Sequence, residues 1–348
     1  MREVVVVPPE SVKRAGRVRK VQFSASGAEL AAWVNPKSPG PEGQGFQLEG
    51  LYRYNLSTGA RARLQPPFID YWWYRGECCG DSAVSPDLRW VGTTFRDGPA
   101  DPWSTVEFEV PTDTGTQSRR DSFNGSVEVM FVHGEPAVCT AITAARNENR
   151  ELVPRVVRFN LARLSNALPK TTLPTHPPRK PQWDFKWKRL LTGNWDRPVC
   201  AALSANGRFL AVADEPGNVH VADLKRKRVV AVHQKARLTA DRVIGRVAID
   251  DTGERVFRMA NGVLHGPNWQ FKPPTGKPTD FALSPDQRTV CAVFDNGHAR
   301  TFDAATGAVR KELRWGKKPL YSVCFAPDGL TCAAGGLGGR VVVWDVDA

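Results

Sequence analysis

One short pattern recurs along this chain often enough to decide its architecture. An apolar strand runs into a tight turn built from Ser, Ala or Asp, then Pro or a small residue, then Asp or Asn and commonly Gly, and a second apolar strand follows. The copies are Phe23-Ser24-Ala25-Ser26-Gly27, Val84-Ser85-Pro86-Asp87-Leu88, Leu203-Ser204-Ala205-Asn206-Gly207, Ile249-Asp250-Asp251-Thr252-Gly253, Leu283-Ser284-Pro285-Asp286-Gln287 and Phe325-Ala326-Pro327-Asp328-Gly329, with a degenerate one at Val132-His133-Gly134-Glu135-Pro136. Proline presets the φ of the first central position, Asp or Asn hydrogen-bonds back to its own backbone, and Gly accepts positive φ, so each copy reverses the chain sharply. A corner repeated about seven times in 348 residues is the mark of a repeat architecture.

Further turns divide the intervals. Asn296-Gly297, Gly217-Asn218, Asn261-Gly262 and Gly338-Gly339 are dipeptides that suit two-residue hairpins. The strand after each often ends in an acid, as in Val221-Ala222-Asp223, Thr301-Phe302-Asp303 and Val343-Trp344-Asp345. A third turn at Ser57-Thr58-Gly59, Asp113-Thr114-Gly115 and Ala305-Thr306-Gly307 leads to a more polar fourth strand. Four antiparallel strands per unit make a propeller blade, and the chain is expected to be all-β, one domain over residues 1–348. The expected count is seven blades; six or eight is the alternative, because the units between 65 and 190 are weakly defined.

The units resemble the WD-repeat (WD40-like) β-propeller family, best in residues 321–345, where the Phe-Ala-Pro-Asp-Gly turn, the Gly-rich hairpin and Trp344-Asp345 fall in order. Residues 198–230 and 278–313 match less closely, and the Gly-His pair typical of the family's first strand is missing. The last unit stops at Ala348 after three strands, leaving an edge that sheets normally protect. The apolar run in residues 3–7, bounded by Pro8-Pro9, is a free strand that would complete it, and the resemblance implies the same closure of the ring.

Hydrophobic residues are 41% of the chain and charged ones 24%, the balance of a soluble globular protein. The apolar run 4–7 near the N-terminus is too brief for a signal-peptide core or a membrane span, so a cytoplasmic protein without membrane association is expected. Seven cysteines without C-x-x-C spacing, most of them inside apolar runs, read as small buried hydrophobes. A formal charge of +12 favours an acidic partner.

Function is expected on one face of the disc. The first turn of every unit is tight, whereas the opposite face receives the long stretches 35–50, 66–79 and 145–152. One of these carries Tyr71, Trp72, Trp73, Tyr74 and Arg75, a composition that matches interface hot spots. The competing reading folds these rings down as packing. Arg17, Arg19, Arg197, Arg242, Lys277 and Lys318 precede innermost strands, with Trp195 and Tyr321 beside them, and would ring the central opening on that same face. Such a ring would steer an anion; ordinary solvated charge is the alternative. The Pro-rich basic insertion at about 166–182 reads as an extended connector leading to an outer strand that carries Trp183, Phe185 and Trp187. The turn Leu224-Lys225-Arg226-Lys227-Arg228 reads as solvated charge.

No catalytic signature survives inspection. Gly80-Asp81-Ser82 has no accompanying Gly pair or His motif, and Gly335-Gly336-Leu337-Gly338-Gly339 runs into a strand where a phosphate loop would need a helix. The six histidines show no metal-ligand spacing. The expectation is a monomeric, non-catalytic scaffold without cofactor or metal that binds a protein or peptide, with polyanion or nucleic-acid binding second and a propeller hydrolase third.

Overall fold

The computed structural model describes residues 2–7, 15–36, 50–63, 82–88, 91–96, 103–112, 115–124, 126–133, 138–146, 152–161, 188–192, 198–233 and 244–347. Strand β1 (Arg2–Val5) comes first. There follow β2 (Ala15–Phe23), β3 (Glu29–Pro36), β4 (Gly50–Asn55) and β5 (Arg61–Arg63), then β6 (Ser82–Val84), β7 (Val91–Arg96), β8 (Trp103–Thr112) and β9 (Gly115–Asn124). The third group is β10 (Ser126–His133), β11 (Val138–Arg146), β12 (Leu152–Asn160) and β13 (Lys188–Thr192), and the fourth β14 (Pro198–Leu203), β15 (Phe209–Asp214), β16 (Val219–Asp223) and β17 (Arg228–His233). The fifth holds β18 (Ile244–Ile249), β19 (Val256–Ala260), β20 (Val263–His265) and β21 (Gln270–Phe271), and the sixth β22 (Pro278–Leu283), β23 (Thr289–Phe294), β24 (His298–Asp303) and β25 (Val309–Arg314). The chain ends in β26 (Ser322–Phe325), β27 (Thr331–Gly335) and β28 (Arg340–Asp345).

Each group of four is one antiparallel sheet with its strands in sequence order, and the last three strands take β1 as their fourth. That pairing runs Arg2↔Val343 to Val5↔Arg340. The N-terminal strand thus spans residues 2–5, where 3–7 was expected; the Val6 N–H still donates to the Gly339 carbonyl at 2.9 Å, and Val6 and Val7 are fully buried. The third sheet's outer strand begins at Lys188; Trp183, Phe185, Trp187 and the insertion at 166–182 lie outside the described residues.

The first strand of each sheet from the second to the sixth lies against the first strand of the next, and β26 lies against β2. The first and second sheets meet through Gln22, whose Nε2 donates to the Val84 carbonyl at 3.1 Å, and through Trp33, Leu51 and Leu88. The core is accordingly a series of apolar seams between facing sheets. Leu210 and Val212 meet Ile142 and Val156 in one seam, and Phe281 and Phe302 meet Phe257 and Leu264 in another. In the latter, Trp269 stacks 6.0 Å from Phe302 and donates from Nε1 to the Ala304 carbonyl at 3.0 Å, joining the fifth sheet to the sixth.

The recurring turn is a side-chain device. Ser204 Oγ receives the Phe209 N–H at 2.9 Å and donates to Asn206 Oδ1 at 2.8 Å; Ser284 receives the Thr289 N–H in the same way. Every copy whose turn is described places one residue in the left-handed region: Gly27, Leu88, Gly207, Gly253, Gln287 and Gly329. Only Gly is free of penalty there, so Leu88 and Gln287 are held by their surroundings. The degenerate copy falls at the β10–β11 corner, with residues 134–137 outside the described set.

Candidate functional site

The two ends of the sheets differ in what their turns do. At one end the recurring turns touch their neighbours: the Ala25 N–H donates to the Pro86 carbonyl at 2.6 Å, Asn206 bonds twice to Asp251, and the Asp251 N–H donates to Gln287 Oε1 at 3.2 Å. The third turns stack on them, with the Leu56, Leu224, Ala304 and Val346 N–H groups donating to the Ala28, Arg208, Arg288 and Leu330 carbonyls. Asp223 fastens one such corner. Its carboxylate receives Arg208 at 2.8 Å together with the Lys225 and Arg226 N–H groups, and the Arg208 hydrogen bond first, then those of the backbone, hold its pKa down at about 2 against the opposing effect of desolvation. Among the described residues, these turns spend their backbone on contacts between neighbouring strands and sheets.

At the opposite end the hairpin turns meet the connections between sheets. The Gly338 N–H donates to the Gly16 carbonyl, the Asp295 N–H to the Lys277 carbonyl, and the Leu320 N–H to the Phe294 carbonyl. Here the structure places Arg17, Lys277 and Lys318, all exposed. Arg19 follows Arg17 on β2 and is exposed as well, and none of the four forms an ion pair among the described residues. Arg17 forms an isolated β-bridge with Leu337, whose side chain is 39% exposed at the tip of the Gly-rich hairpin. Tyr321 is half-buried, with its N–H on the Gly335 carbonyl at 2.8 Å. Tyr71, Trp72, Trp73, Tyr74 and Arg75, and likewise Trp195, Arg197 and Arg242, lie outside the described residues.

Sequence reasoning missed an ion pair on the innermost strands. Arg246 on β18 reaches Asp280 on β22, Nε to Oδ1 at 2.7 Å. Asp280 Oδ2 also receives the Val323 N–H of β26 at 2.9 Å, so one carboxylate ties three sheets together. Burial raises the pKa of Asp280, opposed by Arg246 and two backbone donors. Nothing local announces this pair, because its members stand 34 residues apart in different repeats. Leu337 was legible only as part of a turn; its flanking glycines leave it the one side chain able to project there.

The remaining reactive groups are quiet. Cys139, Cys291 and Cys332 are buried, Cys200 and Cys324 half-buried, and all five are free thiols. Burial lifts the Cys200 pKa to about 12, far from thiolate chemistry. Cys78 and Cys79 lie outside the described residues. Among the described residues no group of His, Cys, Asp and Glu converges as a metal site, and no helix is long and apolar enough to cross a membrane.

The radial array of four-stranded sheets defines a β-propeller, and a solved structure bears this out. The chain superposes on the β-propeller domain of Cps50 (Swd1) from Myceliophteria thermophila with a TM-score of 0.59, covering 99% of this chain and 100% of that one at 15% identity. At that identity the likeness is one of fold. Residues 309–345, from β25 to the end of β28, match the family model described as WD domain, G-beta repeat. The last unit thus matches a WD repeat, and the likeness over the whole chain is one of β-propeller fold.

Proposed function

We infer that the chain is a seven-bladed ring closed by its N-terminal strand, and that it is a non-catalytic scaffold binding a protein or peptide through the face that carries the inter-sheet connections. The observation that carries this reading is the asymmetry of the two ends. One end spends its turn backbone on contacts between neighbouring sheets, while the other presents exposed cations and the apolar tip Leu337. Binding surfaces on repeat proteins gather where connections lengthen. Tyr71, Trp72, Trp73, Tyr74 and Arg75 supply the anchors in this reading, and Trp195 and Tyr321 the rim. The match of residues 309–345 to a WD repeat supports an interaction platform over an enzyme.

The test is a pull-down from native lysate with wild type and with a Trp72→Ala/Trp73→Ala variant at low and high salt. A partner held by wild type at high salt and lost from the variant is the expected result; equal capture by both rejects the aromatic anchor. Arg17, Arg19, Lys277 and Lys318 are exposed and form no ion pair among the described residues, which favours a second reading, in which they join Arg197 and Arg242 in binding a polyanion around the central opening. Binding of that kind weakens steeply with added salt, whereas an aromatic-driven interface changes little.

A further inference from the structure

Outer strands of sheets need protection, because one side of their backbone lacks a ladder partner. The sixth sheet's outer strand β25 has a single exposed valine, Val309, followed by the charged Arg310, Lys311, Glu312 and Arg314. That of the fifth, β21, is only two residues long. The fourth sheet's β17 is treated differently. It carries Val230 and Val232 at 41% and 49% exposure, two residues apart and therefore on one side of the strand. Its free edge borders a groove of about 460 Å³, whose other wall is the turn at Asp251, Thr252, Gly253 and Glu254 of the fifth sheet.

The groove is rigidly built. Phe209 lies at its base, with the Arg208 guanidinium 4.7 Å over its ring and Gly253 so close that a Cβ there would stand 2.5 Å from a ring carbon. At the start of β17 the chain turns through Lys225, Arg226, Lys227 and Arg228. Of these only Arg226 approaches a carboxylate among the described residues, Asp223 at 3.7 Å, and that carboxylate is already held by Arg208 at 2.8 Å. Asp251 is likewise engaged, accepting from the Asn206 N–H at 2.8 Å. Among the described residues, a strand edge without a ladder partner, apolar side chains at period two and a surplus of cations at one end therefore coincide.

We propose that β17 is a docking edge for an extended acidic segment of another protein, which adds as a fifth strand to the fourth sheet. Its backbone completes the β17 ladder, its alternate apolar side chains cover Val230 and Val232, and its acids meet Lys225, Lys227 and Arg228. A nucleic acid would use the cations but neither the strand edge nor the valines. Edge-to-edge pairing with a second copy would cover the valines and leave both cationic turns without acids. This edge lies on the rim of the sheets, so its failure and that of the face-binding reading are independent.

The test uses the full chain and a labelled short peptide of alternating valine and threonine with a run of aspartates at one end, made in both chain directions, and a control with lysines for the aspartates. Fluorescence anisotropy is expected to give saturable binding for one acidic peptide. A Val230→Lys/Val232→Lys variant and a Lys227→Glu/Arg228→Glu variant should each weaken it about tenfold while keeping the wild-type circular dichroism and melting midpoint. Equal binding of the lysine peptide, no saturable binding of either acidic peptide, or unchanged affinity in both folded variants overturns the proposal. So does concentration-dependent self-association of the chain that the valine substitutions abolish.

Discussion

Backbone conformation at single residues decides how far the turn pattern tolerates change. Gly253 combines φ of 78° with a Cβ position 2.5 Å from the Phe209 ring. Gly253→Ala is expected to lose about 2 kcal/mol or more, from left-handed strain and the displaced ring, as read by urea denaturation. At Gln287, φ is 63°, and its Oε1 accepts from the Asp251 N–H. Gln287→Gly relieves about 1 kcal/mol of strain and forfeits a hydrogen bond of about 1 kcal/mol, so its midpoint should match wild type; a large change in either direction contradicts this balance. His133 supplies a pH signature. Burial, aided by the charge of Arg158, lowers its pKa from 6.5 to about 4. The folded chain holds the ring neutral, so its stabilisation is complete above pH 6.5 and is lost as pH falls towards 4, on the order of 3 kcal/mol in all. His233 and His265 are also lowered, chiefly by burial, and act with the same sign. Asp280 acts with the opposite sign, since a raised carboxyl loses stabilisation as pH rises above its unfolded value of 3.8. Urea titrations of wild type and His133→Phe between pH 7 and 4.5 should show a shallower slope in the variant.

Elements cohere through seams between sheets, and Trp269 tests one of them. Half-buried and hydrogen-bonded to the Ala304 carbonyl, it bridges the fifth and sixth sheets. Trp269→Ala should cost about 3 kcal/mol and speed amide exchange in β20 and β24 more than in β3. Strands of this kind were legible because their corners are written in local chemistry: the copies ending in Leu88 and Gln287 still read as turns, since Pro and Asp remain where Gly is replaced. What joins one repeat to another was not. Arg246 and Asp280 meet only after the fifth and sixth sheets pack, and Val230 and Val232 read as ordinary strand residues until the topology leaves β17 at an edge. Lys277 and Lys318 precede β22 and β26 as their place in the sequence implied, whereas Arg17 and Arg19 lie inside β2, which begins earlier than the sequence suggested. Leu337 was hidden by its reading as turn.

For the molecule as a whole, β1 is the element on which the last sheet depends. It buries Val4 and leads into the fully buried Val6 and Val7. Removing residues 1–7 deletes three buried valines, each worth roughly 1.5–3 kcal/mol, and bares the β28 edge. The shortened chain should melt far below wild type and associate with rising concentration in sedimentation velocity, and a peptide of residues 1–7 added in trans should reverse both. The same pairing has a mechanical side. Arg2 faces Val343 and Val5 faces Arg340, so the two chain ends leave the sheet at the same end of adjacent strands. Tension applied between them loads the ladder one rung at a time, as a zipper is opened, and does not share the load across all rungs in shear. A propeller tethered by both ends should therefore give way first at this pair under low force, with the other sheets still folded, which makes its weakest point under load the place where its beginning and end are joined.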